Sequence, residues 1–439
     1  MTPGAAAHMQ PLWAATAPAG VDFPGLQRAL RTQVAIVGAG YTGLSAALHS
    51  VERGLDTALI DACAIGERAS GLNGGQVIAG VKDDPDELLR RFGSRLGTAL
   101  IDTVGTGPEL VFELIRRHGI DCDAIRNGWI QAAISTRELQ GLQARVAQWQ
   151  KFGVDARLLD RDQTALLTGA HGYCGGWLDP RGGTVQPLAY ARGLARAAQR
   201  AGVRIYARSP ALRLQPHGGK WRIATPGGSI TASQVIIATG AYTDHLLNPL
   251  RRTLVPVPSF QVATAPLPSA LRASILPQGH SVSDTAPLLR YFRLDAHGRL
   301  LMGSRGAFDR EPTPASTRHL YEAVKQLFPR LGDVTFEFHW SGLVAITGDR
   351  LPHLHAVAPG LWAGLGYNGR GIAMATTMGR LLARLAAGEP AGDLGFPITP
   401  VRPLRLHRFA RLGTRVALQL LKLRDHRQRR RAAAGGARP

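Results

Sequence analysis

Gln33-Val34-Ala35-Ile36-Val37-Gly38-Ala39-Gly40-Tyr41-Thr42-Gly43-Leu44-Ser45-Ala46-Ala47-Leu48 is the stretch that decides the fold of this chain. Its apolar opening, Val34 to Val37, reads as a buried parallel strand, and Leu44 to Val51 as a good helix former. Three glycines between them have separate tasks. Gly38 permits the tight turn out of the strand, Gly40 lets the backbone come against a pyrophosphate, and Gly43 lets the helix lie close on the sheet. The first helical amides, around Tyr41 and Thr42, lack partners within the helix and carry the positive end of its dipole, which favours phosphate. After Gly54 a second apolar run, Thr57 to Ile60, ends in Asp61 and Ala62, where a carboxylate can accept hydrogen bonds from a ribose diol. Strand, glycines, helix, strand and acid in this order predict a dinucleotide-binding βαβ unit.

The next segment separates FAD from NAD. Ile65 to Gln76 is a polar, glycine-rich loop directly after the ribose acid, where an NAD domain usually has a helix. Small residues there (Ala69, Ser70, Asn73, Gly74, Gly75, Gln76) can wrap a pyrophosphate and lie along a flavin ring. With these residues quoted, the chain resembles the D-amino-acid-oxidase-like flavoproteins, and within them the gamma-glutamylputrescine oxidoreductase group. Trp13 to Thr16 resembles that group's N-terminal segment. Asp61 stands where the group usually has glutamate, which shortens the carboxylate's reach. Leu72 stands where it usually has arginine.

Two later segments agree with this order. Gln234 to Ala241 is an apolar run ending in Ala-Thr239-Gly240-Ala, similar to the motif that returns the chain beneath the cofactor. Gly202 to Leu212 reads as a further strand, and the resemblance places the backbone near Ala211 against the adenine. Trp340 to His353 and Leu361 to Ala375 form the C-terminal motif, with a helix expected to start near Gly371. Its N-terminus, with Gly366, Asn368, Gly369 and Arg370 before it, would stabilise negative charge on the flavin pyrimidine edge. The resemblance assigns Asp349 and Pro352 to the same motif.

The expected fold class is α/β, a doubly wound Rossmann-like FAD domain interleaved with an α+β substrate domain. Residues 30–85, 165–250 and 340–395 are expected in the FAD domain, 86–164 and 251–339 in the substrate domain, and 400–439 in a basic C-terminal helix and tail. Substrate-anchoring candidates are Tyr291, Arg293, Arg305, Trp340 and Tyr367, since an arginine can clamp a carboxylate bidentately. His339 and His353 flank the flavin motif and read chiefly as structural residues. No catalytic base and no metal site is read from the sequence.

The formal charge of +21 bears on partners. About half of it lies beyond residue 400, where basic residues from Arg402 to Arg438 face the single acid Asp425. Interleaved leucines suggest a basic amphipathic helix, which leaves peripheral membrane contact open; with no aromatic interleaving, a nucleic-acid partner is not expected. Cys63, Cys122 and Cys174 have no metal-like spacing and read as reduced thiols. With no signal-peptide pattern and no membrane-spanning run, the expected location is cytoplasmic, with membrane association open. The chemistry expected is oxidation of a carbon–nitrogen bond in a small amine or amino acid, with oxygen or a quinone taking the electrons. Oxidation of a hydroxy acid or polyol, and a polyanion- or membrane-binding role for the tail, are the alternatives.

Overall fold

Among the described residues, two eight-stranded sheets and one two-stranded ribbon organise the protein. The structure, a computed structural model, describes residues 11–306, 312–405 and 407. In the first sheet the neighbouring strands run His353–Ala358, Leu361–Leu365, Ser229–Ile237, Ala29–Val37, Thr57–Ile60 and Arg204–Tyr206, and the hairpin Arg213–His217 and Lys220–Ala224 adds to Ser229–Ile237. The four strands from Leu361–Leu365 to Thr57–Ile60, with Arg204–Tyr206, pair in parallel. Val37 lies opposite both Ile60 and Ile237, so the strand ends bring Gly38, Asp61 and Ala238 to one edge. Ligands bind at such carboxyl-terminal edges of open parallel sheets. Residues 34–37, Thr57–Ile60 and residues 235–237 are buried without a break, which is why they read as apolar runs.

Helices Tyr41–Val51, Pro187–Arg200, Gly107–His118 and Gly371–Ala386 cover one side of this sheet. Small residues set their spacing: a Cβ on Gly379 would lie 2.5 Å from Thr42 O. The second sheet orders its strands Phe336–Thr347, Leu254–Pro266, Arg299–Arg305, Arg290–Leu294, Ser281–Asp284, Trp129–Ala133, Gly175–Asp179 and Arg157–Leu159. Alternation divides its faces. Phe260, Val262, Val282, Phe292 and Ile130 enter a separate core, while Ser259, Gln261, Ser283, Tyr291 and Gln131 face a cavity between the sheets.

The structure departs from the expected division at particular elements. Gly175–Asp179 and Phe336–Thr347 belong to the second sheet, where they pair with Trp129–Ala133 and Leu254–Pro266. Helices Pro85–Gly105 and Gly107–His118 bury Leu88, Leu100, Val104, Leu110 and Val111 in the core of the first sheet, not of the second. Long antiparallel partners decide these memberships, and local apolar runs do not display them. The stretch read as a strand from Gly202 is extended only over Arg204–Tyr206, and Arg208 then turns with φ +49°. The loop Ile65 to Gln76 contains one helical turn, Ala69–Leu72, and Gln76–Val77 pairs with Gly183–Thr184. The expected basic tail, apart from residues 400–405 and 407, falls outside the described residues. Among the described residues no helix is long and apolar enough to cross a membrane. All three cysteines are free.

Candidate active site

A cavity of about 570 Å³ runs from the edge of the first sheet to the polar face of the second, a size typical of ligand sites. At its first end the glycine turn is shaped as the sequence requires. Gly38 has φ +108°, and a Cβ there would lie 2.7 Å from Ala238 O. A Cβ on Gly43 would sit 1.8 Å from Gly38 O, so only glycine lets the helix approach this closely. No side chain caps the helix at Gly40, and Tyr41 N donates to Ser70 Oγ at 3.1 Å. At Gly40 a Cβ would stand 2.8 Å from Ser70 Oγ, so the loop side chain lies directly against the glycine turn. Asp61 accepts from Ala39 N at 2.5 Å and Cys63 N at 2.8 Å. Burial raises its pKa, and these two amides oppose the rise. The turn, the helix start and the acid fit the pyrophosphate and ribose of a dinucleotide.

Farther along the cavity, Asn73 organises the loop Ala69 to Gln76. Its amide donates to Ala69 O and Ser70 O, and its Oδ1 accepts from Gly75 N. Trp13, fully buried, donates from Nε1 to Asn73 O at 2.7 Å, tying the N-terminal segment to the loop. On the opposite side, Asn368 and Gly369 take φ +53° and +88° before the helix Gly371–Ala386, which has no side-chain cap. Asn368 holds this turn by accepting from Thr347 N and donating to Gly366 O. Gly369, Arg370, Gly371 and Ile372 line the cavity, so the free amides of the helix start can meet developing negative charge there.

The far wall comes from the second sheet. Tyr291 shares a hydrogen bond with Ser259 Oγ at 2.9 Å, and its ring lies against Gly74, where a Cβ would meet it at 2.8 Å. Tyr367 shares one with Thr42 Oγ1 at 2.6 Å. Burial raises the pKa of both phenols. Arg305 lines the cavity with no hydrogen-bond or ion-pair partner among the described residues, and burial lowers its pKa. Lys82, absent from the sequence-based candidates, lines the same end. Burial and the guanidiniums of Arg370, Arg305, Arg145 and Arg350 push its pKa down to about 7.

Most of the sequence-derived residues converge on this cavity. Gly38, Gly40, Tyr41, Thr42, Asp61, Ala62, Ala69, Ser70, Asn73, Gly74, Gln76, Ala211, Thr239, Gly240, Asn368, Gly369, Arg370, Gly371, Tyr291, Arg305 and Tyr367 all line it. Seven do not. Gly43 and Gly75 stand behind the wall, where their lack of a side chain permits close packing. Gly366 turns at φ +83° behind Tyr367, against Thr347. Asp349 and Pro352 form an outer turn; Asp349 accepts from His353 Nε2 at 2.9 Å and Leu351 N at 3.2 Å. Arg293 cannot reach a substrate, because it donates to Gly75 O, Val185 O and Leu294 O. Trp340 is buried edge-on against Trp13 and donates to Leu72 O at 3.1 Å. His339 and His353 also lie off the cavity lining.

A mainly parallel sheet with this glycine turn and acid, opening beneath a second, mainly antiparallel sheet, defines a flavin-dependent oxidoreductase of the two-sheet class. The chain belongs to the DAO family of FAD dependent oxidoreductases, whose model matches residues 33–385. FAD is its cofactor. It is 32% identical over 384 residues to gamma-glutamylputrescine oxidoreductase of Escherichia coli strain K12, covering 87% of this chain and 90% of that one. A probable oxidoreductase, OrdL, of Rhizobium meliloti strain 1021 is 33% identical over 376 residues, covering 85% and 87%. The crystal structure of glycine oxidase from Geobacillus kaustophilus superposes with a TM-score of 0.70 at 25% identity, over 86% of this chain and 99% of that one.

Proposed function

We propose that the protein oxidises a carbon–nitrogen bond of a small amine, amino acid or polyamine derivative of the gamma-glutamylputrescine kind. The observation that carries this reading is the second half of the cavity. Beyond the dinucleotide cradle it opens onto a polar sheet face, with Gln131, Ser259, Gln261, Ser283, Tyr291 and Arg305 around a space for a small polar molecule. Two of the three relatives named, a glycine oxidase and a gamma-glutamylputrescine oxidoreductase, support a nitrogen-bearing substrate.

In this reading, the amides around Gly40 to Thr42 hold the pyrophosphate and Asp61 the adenosine ribose, with Ala211, Thr239 and Gly240 along the nucleotide. The loop from Ala69 to Gln76 and the turn Asn368 to Gly371 face opposite edges of the flavin. Bound FAD supplies an electron-pair acceptor at N5, and oxygen or a quinone takes the electrons onward. The protein's own contribution is positional. Tyr291, Gln131 and Arg305 orient the substrate, and the sheet face excludes bulk water from the reacting carbon. The helix start at Gly371 opposes charge that develops during reduction.

Product analysis tests this reading. Incubating the holoenzyme with glycine, sarcosine, L-proline, putrescine and gamma-glutamylputrescine, and with lactate and glycerol 3-phosphate, should yield a carbonyl product plus ammonia or methylamine, or a cyclic imine, from a nitrogen compound. A keto product from the hydroxy compounds alone would overturn it.

A further inference from the structure

We infer that Lys82 is the proton acceptor for the substrate's ammonium group. The inference rests on the amine-oxidising reading above. An ammonium nitrogen has no lone pair, so its carbon cannot lose a hydride equivalent to form C=N. Most alkyl amines and amino acids carry that extra proton at neutral pH, with pKa values near 10 as for lysine itself (about 10.4). Something must take it.

The lining at the substrate end offers few acceptors. Arg305 and Arg370 stay charged, Tyr291 and Tyr367 are phenols whose pKa values burial raises, and no histidine is among the described lining residues. The acids Asp61 and Glu67 lie at the nucleotide end, beside the turn after Thr57–Ile60, and Asp244 follows Thr239 and Gly240 on the nucleotide side, where it accepts from Leu246 N. Lys82 remains. Arg350 donates to its backbone carbonyl, but the lysine's ammonium has no hydrogen-bond or ion-pair partner among the described residues, although acids flank it in the chain. Asp83 is engaged by Arg91 and Arg350, and Asp84 by Arg145. Cations face it from several elements: Arg370 at the start of helix Gly371–Ala386, Arg305 on strand Arg299–Arg305, Arg145 on helix Thr136–Lys151, and Arg350. Composition points the same way. Only five of the 52 lysines and arginines are lysine (Lys82, Lys151, Lys220, Lys325 and Lys422), so a titratable base stands where this chain ordinarily uses arginine.

A substrate ammonium entering this end meets the same burial and the same guanidiniums. The two amines then hold one proton between them instead of two. The step is a simple exchange. The N–H bond of the substrate ammonium breaks, an N–H bond forms on Lys82 Nζ, and no electrons change hands. The neutral amine can then release its α-hydrogen with the bonding pair to bound FAD as C=N forms.

The test compares wild type with Lys82→Met and Lys82→Arg, each checked for flavin content, by anaerobic flavin reduction between pH 5.5 and 10. The substrate is whichever of glycine, sarcosine, putrescine and gamma-glutamylputrescine bleaches the wild type. In wild type, kcat/KM should fall as pH drops through about 7. In both variants the limb should move toward the substrate's own pKa, with a loss of roughly 10²-fold at pH 7.5, as for removal of a general base. A readout independent of turnover is acylation of Lys82 by acetic anhydride, followed by peptide mass spectrometry. Its midpoint should lie near 7 and not near 10, the region of an ordinary lysine (about 10.4). Variant profiles that overlay the wild type, or a labelling midpoint near 10, would overturn the role of Lys82 while leaving the amine reading standing. A wild type that no amine reduces overturns both.

Discussion

Replacing Arg293 separates a brace from a substrate clamp. Its guanidinium is buried, with Nη1 donating to Gly75 O at 3.0 Å and Val185 O at 2.7 Å, and Nε to Leu294 O at 3.0 Å. Arg293→Met keeps the volume and removes all three bonds. Hydrogen bonds from a charged donor are worth about 1.5–3 kcal/mol each, roughly 6 kcal/mol in all. Releasing a buried cation offsets part of that, since burial already lowers the arginine's pKa to about 10. A net loss of about 3 kcal/mol follows from that partial offset. With an unfolding entropy of roughly 2.1 cal/mol/K per residue, a chain of 439 residues gives about 0.9 kcal/mol/K, so Tm should fall by about 3 °C. The flavin should also be lost more readily, because Gly75 belongs to the loop proposed to lie along it. Calorimetry and flavin retention on dialysis measure both, and anaerobic titration measures substrate affinity. An unchanged Tm with substrate affinity weakened tenfold or more would refute the brace and restore Arg293 as a clamp.

Other perturbations have equally definite outcomes. Gly43→Ala places a methyl 1.8 Å from Gly38 O and should push the helix off the turn; the purified variant should be nearly colourless, and full flavin occupancy would contradict the packing argument. Trp13→Phe deletes the Nε1 bond to Asn73 O at a cost of about 1 kcal/mol, read as a lower Tm and faster flavin release. Burial lowers His49 and His355 to about 4, so each stays neutral in the folded state and charges first in the unfolded chain. Their contribution is complete above the unfolded pKa of about 6.5 and drains away down to about pH 4, at up to about 1.4 kcal/mol per pH unit each. Denaturant titrations from pH 7 to 4 should show this slope, and His355→Gln should reduce it; an identical slope in the variant would rule out His355 as a source.

The glycine turn, the acid after the second strand and the helix start at Gly371 were legible because each depends on local backbone geometry. Gly38, Gly43 and Gly369 are glycines for reasons within a few residues or one packed neighbour. The substrate wall was less legible, since its character depends on direction and distant partners. Tyr291 and Arg293 point to the same side of their strand, yet one meets the cavity and the other is captured by two loop carbonyls. Trp340 looked like a substrate platform, but Trp13, more than three hundred residues earlier, covers it. Lys82 reads as one charge before an acidic stretch. Its environment is assembled by Arg305, Arg145 and Arg370, whose convergence no local pattern records; the scarcity of lysine was the one available signal. Sheet membership of Gly175–Asp179 and Phe336–Thr347 was hidden for the same reason, because long-range pairing assigned it.

The most direct test of amine oxidation is the anaerobic visible spectrum of the purified protein before and after addition of amines and amino acids. The account predicts flavin bands that bleach with at least one nitrogen compound, and readmitted air or an added quinone would then identify the acceptor. Flavin bands that no amine bleaches, but that a hydroxy acid does, would contradict it.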